Sequence, residues 1–283
     1  MSLTDREQLA IDQARVLLRE SGVWDLEDDL SCLIDRYIER ANKNRALDEF
    51  MLAVKERCNR IPLGHIVGTV EFDSMPLVVG SGVFIPRHHS KVIHKWLEAS
   101  PVLKSGTIVL DLCAGSGAIG LAIARRRPDL KVTCVEVDEI AIQYLKRNVD
   151  RLANLGIQAN HMQADILNTR AFTQFKNQVG LIVANPPYVP QFQELLPEWS
   201  NHHPKASVYS GTDGLELIRQ IILLASELLS LEGWLAIEHG EEQAIAVRDL
   251  FEQRGFTNTQ TIIDKETSDA SGSSVMTTGC KSY

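Results

Sequence analysis

The order of apolar runs along these 283 residues predicts an α/β fold. It is an open, mostly parallel sheet with helices on both faces, preceded by a small helical domain and a β-hairpin linker. Three observations predict it. Helical stripes fill the first 60 or so residues, the texture changes to short β-type runs after Pro62, and strand-like and helical segments alternate from Thr107 onward. The domains expected are residues 1–62 (helical), 63–87 (hairpin linker) and 88–283 (α/β).

Thr4 followed by Glu7 is a capping box, Ala10, Ala14, Leu17 and Leu18 share one face of the helix it opens, and Gly22 stops it. Leu30, Leu33, Ile34, Tyr37 and Ile38 repeat at helical spacing, as do Leu47, Phe50, Met51 and Val54. Val67–Phe72 and Leu77–Val79 read as a hairpin around Asp73-Ser74-Met75-Pro76, followed by a helix over Ser90–Glu98. Strands are expected at Thr107–Leu112, Lys131–Val135, Gln158–Gln163, Leu181–Ala184 and Trp234–Glu238. Helices are expected at Ile119–Arg126, Glu139–Leu152, Gly214–Leu229 and Glu241–Arg254. Small polar residues over Thr267–Ser274 suggest a loop before a last strand at Val275–Thr278.

A 44% hydrophobic fraction, 23% charged residues and a net charge of −8 describe an ordinary globular chain with no bulk attraction to nucleic acid. The basic cluster Arg125-Arg126-Arg127 suits an exposed helix end. Five scattered cysteines without a Cys-x-x-Cys pair argue against a disulfide framework or zinc site and for a reducing cytoplasm. Residues 1–30 carry no apolar signal region and no apolar run spans a membrane, so neither export nor a membrane partner is expected. The eight histidines show no ligand spacing, and no metal is expected.

Two motifs carry chemistry. Asp111-Leu112-Cys113-Ala114-Gly115-Ser116-Gly117 places a glycine turn between the first strand and first helix of the α/β unit, where backbone amides can approach a ligand. Glu136 ends the next strand, 136 − 117 = 19 positions after the second glycine, where a carboxylate can accept both ribose hydroxyls. Asp165 ends the third strand and can accept from an adenine amino group, or can simply cap a helix. Gly120 keeps the dinucleotide spacing open. The Asp111 carboxylate, however, is expected where a pyrophosphate would lie, which favours a cation with an amino-acid tail such as S-adenosylmethionine. The second motif is Asn185-Pro186-Pro187-Tyr188, directly after the strand Leu181–Ala184. Proline has no N–H, so an amide oxygen and a backbone carbonyl are left to accept from a flat NH2 group that stacks on the tyrosine. A rigid turn with a packed tyrosine is the simpler alternative.

Together with Ile61-Pro62-Leu63, Ile85-Pro86-Arg87, Gly211-Thr212-Asp213-Gly214-Leu215 and Glu238-His239-Gly240, these motifs resemble the HemK-type protein-glutamine N5-methyltransferases over nearly the whole chain. These are class I enzymes dependent on S-adenosylmethionine. The resemblance implies a Rossmann-like methyltransferase domain and a glutamine acceptor in a protein substrate, either the Gly-Gly-Gln loop of a peptide chain release factor or a ribosomal protein. It implies that Asp111 and Cys113, Ala114, Gly115, Ser116 and Gly117 surround the methionine end of the cofactor. Glu136 would hold the ribose, Asp165 and Ile166 would border the adenine, and Asn185 would also touch the cofactor. Asn185 and the Pro186 carbonyl would take the glutamine amide, with Pro187 and Tyr188 lining its pocket. His88-His89-Ser90-Lys91 stands where the family has an Asp-Thr-Glu-like stretch, and His203 stands where an acidic residue usually precedes the proline. Cys113 is shared with the ribosomal-protein branch and Glu238-His239-Gly240 with the release-factor branch. A cytoplasmic monomer is expected. The alternatives are an N-methyltransferase acting on an exocyclic amino group of a nucleic-acid base, and an inactive module that binds translation factors.

Overall fold

Thr4 caps the first helix in a computed structural model that describes residues 3–39, 46–99, 103–269 and 272–282. Its hydroxyl accepts from Glu7 N at 3.3 Å while the Glu7 carboxylate accepts from Thr4 N at 2.7 Å. The helix, α1 (Asp5–Glu20), packs with α2 (Leu26–Ile34) and α3 (Ala46–Cys58) around Ile11, Ala14, Leu18, Leu30, Leu33, Phe50 and Val54. A π-helical turn, Asp35–Glu39, continues α2. The short α4 (Leu63–Val67) lays Leu63, Ile66 and Val67 on this same core.

A hairpin follows, β1 (Thr69–Phe72) against β2 (Met75–Val78). Its turn is only Asp73-Ser74, both left-handed with φ of 50° and 58°, the backbone a two-residue hairpin demands. Met75 and Pro76, expected in the turn, therefore belong to the strand; a two-stranded ribbon leaves Pro76 an open edge. Asp73 is buried, and its carboxylate accepts from Arg126 Nε at 2.8 Å while its carbonyl accepts from Arg125 Nη1 at 2.8 Å. Two of the three arginines expected at a solvated helix end, Arg125 and Arg126, thus anchor the hairpin, while Arg127 pairs with Asp129.

A 3₁₀ turn, His88–Ser90, leads into α5 (Lys91–Ala99). The α/β unit then runs β3 (Ile108–Leu112), α6 (Ala118–Arg126), β4 (Lys131–Glu136), α7 (Ala141–Ala153), β5 (Asn160–Gln163) and β6 (Val179–Ala184). It continues with α8 (Pro197–His202), α9 (Glu216–Leu228), β7 (Leu229–Glu238), α10 (Ala244–Gln253), β8 (Phe256–Asp269) and β9 (Gly272–Lys281). The sheet order is β5-β4-β3-β6-β7-β9-β8; the first five strands are parallel, and β9 runs antiparallel between β7 and β8. Alternating side chains feed two cores. Val109, Leu181 and Val183 face α5, α6 and α7 on one side, and Leu110, Leu112 and Ile182 face α9 and α10 on the other.

Strand β8 escaped the sequence reading because its polar Thr-rich text lacks a continuous apolar run. Thr267–Ser274, expected as a loop, belongs to β8 and β9 except for residues 270 and 271, which lie outside the described residues. Among the described residues no helix is long and apolar enough to cross a membrane.

Because β4 and β5 extend the sheet to one side of β3 while β6 extends it to the other, the strand order reverses between β3 and β6. A crevice opens beyond the carboxyl ends of strands at such a point. Its rim is tied to the helical unit through α8. Glu198, 6% exposed, accepts from Arg57 Nη1 at 2.9 Å and from Arg60 Nε at 2.7 Å, and Arg57 Nε donates to Asp29. Glu198→Ala would leave Arg57 buried beside one carboxylate rather than two, and is expected to cost about 1.5–3 kcal/mol, the scale of hydrogen bonds to a charged group, read as a lower denaturation midpoint. Loss of less than about 1 kcal/mol, the surface-pair scale, would show the network to be dispensable.

Candidate active site

The turn after β3 passes through three left-handed residues, Cys113, Gly115 and Gly117, with φ of 59°, 56° and 90°. A Cβ on Gly117 would come within 2.5 Å of Leu145 Cδ1 on α7, and one on Gly120 within 2.5 Å of Cys134 Sγ on β4, so Gly117 lets the turn close against α7 and Gly120 lets α6 settle against the sheet. Gly115 differs. Nothing lies within 4 Å of the position its Cβ would take, and it lines the cavity described below. Ala114 N donates to Val135 O at 3.0 Å and Asn148 Nδ2 donates to Ser116 O at 2.9 Å, holding the turn from outside.

Asp111 lies beneath this turn and does not face a ligand, contrary to expectation. Its Oδ2 accepts from Gly120 N at 2.8 Å, its Oδ1 has no partner, and the residue is 1% exposed. Strand alternation directs it at the first turn of α6. Burial pushes its pKa up to about 7, helped by nearby Glu136 and opposed by the Gly120 hydrogen bond.

Glu136 does line the cavity, but it is already engaged. Oε2 accepts from Gly115 N at 2.7 Å, and Oε1 from Val137 N at 2.8 Å and Asp138 N at 2.9 Å. A carboxylate has about four acceptor positions, so one Oε2 position is left for a ligand hydroxyl, not the two expected. Asp165 stands two residues beyond the end of β5, exposed, with Oδ1 accepting from Leu167 N at 2.9 Å; Ile166 is buried in the core. Asp111, Gly117, Asp165 and Ile166 are therefore outside the cavity lining, whereas Cys113, Ala114, Gly115, Ser116 and Glu136 form it. The Cys113 thiol is pushed up by burial and by Glu136, Asp111 and Asp165, which keeps it protonated.

Asn185, Pro186, Pro187 and Tyr188 line the same cavity from the end of β6. Asn185 Nδ2 donates to Ser90 Oγ at 3.1 Å, so the amide nitrogen is engaged and Oδ1 is the oriented acceptor. The loop is buttressed by Gln243, whose Nε2 donates to Tyr188 O at 2.8 Å and to Asp213 O at 3.0 Å. Gly214, with φ of 75°, is required there because a Cβ would collide with the Tyr188 carbonyl. Tyr188 is half-buried, yet the burial around its hydroxyl and nearby Glu238 push the phenol pKa up, so it stays neutral.

The facing wall is aromatic. Phe84 and Trp199 line the cavity, Arg87 lies 5.0 Å over the Trp199 ring, and buried His203 stacks on it at 4.8 Å. Burial lowers the His203 pKa to about 4, so this imidazole is neutral. Among the described residues no group of metal-ligating side chains could hold an ion. The cavity encloses about 990 Å³; its charged lining is Arg87 against Glu136, Asp138, Glu139 and Glu194. Sequence reasoning missed Ser90, Trp199 and Glu238. Only Glu238, an acidic residue closing an apolar strand, carried a local signal.

A crevice at the switch point of a parallel sheet, flanked by a glycine turn and an acidic strand end, is the arrangement of a Rossmann-like cofactor-binding fold, and comparison with known proteins narrows it to a methyltransferase fold. The family model for the methyltransferase small domain matches residues 80–197. The hMettl16 catalytic domain, solved in complex with the MAT2A 3'UTR hairpin 6, shares this fold with a TM-score of 0.55 at 14% identity, covering 85% of this chain and 82% of that one. The release factor glutamine methyltransferase of Mycolicibacterium smegmatis is 36% identical over 74% of this chain and 73% of its own. That of Geobacter sulfurreducens is 33% identical over 90% and 91%. The chain belongs to the release factor glutamine methyltransferase family.

The Asp111 pKa, raised from 3.8 to about 7, means that the folded state holds this proton more tightly than the unfolded chain. Its contribution to stability is thus complete below the unfolded value and is lost as pH rises through the folded one. Asp111→Asn is expected to flatten the decline in denaturation midpoint between about pH 4 and about pH 7. An unaltered slope would mean that this carboxyl does not titrate abnormally.

Proposed function

We propose that the protein transfers the methyl group of S-adenosylmethionine to the side-chain amide nitrogen of a glutamine in a peptide chain release factor, in the cytoplasm. One juxtaposition supports this reading most. The glycine turn after β3 and the Asn-Pro-Pro-Tyr corner after β6 open into one cavity, which Gly115, Glu136 and Asn185 all line.

The residues present fit the cofactor. Nothing fills the space beside Gly115, Glu136 keeps one acceptor position, and the acidic residues beside the turn favour a cation over a phosphate. A volume of about 990 Å³ is at the upper end of ordinary ligand pockets. When bound, S-adenosylmethionine supplies a methyl group activated by a positively charged sulfur. Cys113 to Ser116 would hold the amino-acid end and Glu136 the ribose. Val137 and Asp138, which line the cavity beside Glu136, replace Asp165 and Ile166 as neighbours of the adenine.

An amide nitrogen is a weak nucleophile because its lone pair is delocalised into the carbonyl. Asn185 Oδ1 and the Pro186 carbonyl would accept its two N–H groups, stabilising the positive charge that develops as the nitrogen gains a methyl. Tyr188, neutral and packed beside them, would hold the amide plane. The surplus proton then passes from nitrogen to water, so no buried base is required.

Methyl-labelled cofactor incubated with the protein and a release factor is expected to label the glutamine of its Gly-Gly-Gln loop. Label on RNA alone, or on neither, would contradict the assignment. Asn185→Ala is expected to abolish transfer while leaving cofactor affinity within a few-fold; near-normal turnover would rule out the acceptor corner. Glu136→Ala should weaken cofactor binding by about 1–3 kcal/mol in calorimetry, and unchanged binding would remove it from the site.

A further inference from the structure

Asn185 leaves β6 one residue after Ala184, which stands opposite Ile237 of β7. Asn185 and Glu238 therefore leave neighbouring strands side by side. Between them sits Ser90, at the end of the 3₁₀ turn, 2% exposed. Its Oγ accepts a hydrogen bond from Asn185 Nδ2 at 3.1 Å, and its hydroxyl lies close enough to Glu238 to oppose, as a donor, the burial that raises that carboxyl's pKa. Glu238 is 1% exposed, and its Oε2 has no hydrogen-bond partner. The turn that carries Ser90 is itself pinned to β9, where Ser274 Oγ donates to the His89 carbonyl.

A hydroxyl has one proton to give. With Glu238 ionised, Ser90 directs its proton to that carboxylate and is left to accept from the asparagine. That polarity has a consequence for the carboxamide. The oxygen and nitrogen ends of an asparagine are nearly the same size, so packing alone does not decide which end faces the cavity. A flipped amide would aim NH2 at an incoming NH2, replacing attraction by repulsion.

We propose that Ser90 and Glu238 are positioning residues that fix the Asn185 carboxamide with its oxygen toward the acceptor nitrogen. The proposal rests on the reading that Asn185 binds the glutamine amide. Neither residue touches the methyl acceptor in this scheme; both act through Asn185. Glu238 is suited to the role because burial among β6, β7 and the 3₁₀ turn strengthens each hydrogen bond it makes. A glutamine there could present either end to Ser90 and would not enforce a direction.

The test compares wild type, Ser90→Ala, Ser90→Thr, Glu238→Gln and the Ser90→Ala/Glu238→Gln double variant. Each is assayed with labelled S-adenosylmethionine and a release factor displaying a Gly-Gly-Gln loop, with thermal melts as a check on folding. Ser90→Ala and Glu238→Gln are each expected to lower kcat by about tenfold, the scale of one orienting hydrogen bond, with the KM for S-adenosylmethionine unchanged. Ser90→Thr, which restores the hydroxyl, should recover most of the rate, and the double variant should lose no more than the worse single one. The proposal is overturned if Ser90→Ala keeps wild-type kcat, if the loss falls wholly on cofactor KM, or if Ser90→Thr is as impaired as Ser90→Ala. Should Ser90→Ala fail to fold, the Glu238→Gln and Ser90→Thr outcomes decide. Wild type that labels no glutamine would instead remove the functional reading beneath it.

Discussion

Two prolines at the end of a central strand set the terms for the functional end of this protein. Pro186 and Pro187 donate no N–H, so the ladder between β6 and β7 cannot continue past Ala184 and Ile237. The chain must turn away, and it does so beside the glycine turn of β3, because the strand order reverses between these two strands. A crevice at that place follows from topology. What makes it chemically particular is that one wall ends in an amide and a tyrosine while the other ends in left-handed glycines and a carboxylate.

The site is built from buried groups that a purely stable protein would avoid. Asp111 and Glu238 each leave a carboxylate oxygen without a partner, and burial raises both pKa values to about 7. Such groups weaken the folded state unless compensated. Compensation comes from around them: Gly120 N on Asp111, Ser90 on Glu238, and three backbone amides on Glu136. Of these groups, Ser90, Gly115, Val137 and Asp138 also line the cavity. The helical unit participates as well, since Arg57 and Arg60 grip Glu198 on the helix that follows the acceptor loop. The contact joins elements some 140 positions apart in sequence, 198 − 57 = 141.

Local signals were legible in the sequence, and the order of helix and strand followed from periodicity. The capping box at Thr4, the glycine turn and the Asn-Pro-Pro-Tyr corner each declare themselves within a few residues, because backbone conformation and missing donors are local properties. Asp111 was misplaced because a carboxylate at a strand end can serve a ligand or the next helix, and only the facing of that strand decides. Glu136 was placed at the cavity, but its engagement with Gly115, Val137 and Asp138 depends on how the turn folds back. Ser90 could not be found by spacing: it reaches Asn185 across 95 residues, and the link exists only once the 3₁₀ turn His88–Ser90 packs at the end of β6. Strand β8 was unreadable for a different reason, since an edge strand paired on one side can be polar on both faces.

The most direct measurement of the central claim is a structure of the protein holding S-adenosylhomocysteine and a glutamine-containing peptide. The account predicts the glutamine amide nitrogen within hydrogen-bond distance of Asn185 Oδ1 and the Pro186 carbonyl, with the Asn185 nitrogen still on Ser90. A glutamine bound elsewhere, or an asparagine turned to present its nitrogen, would contradict it.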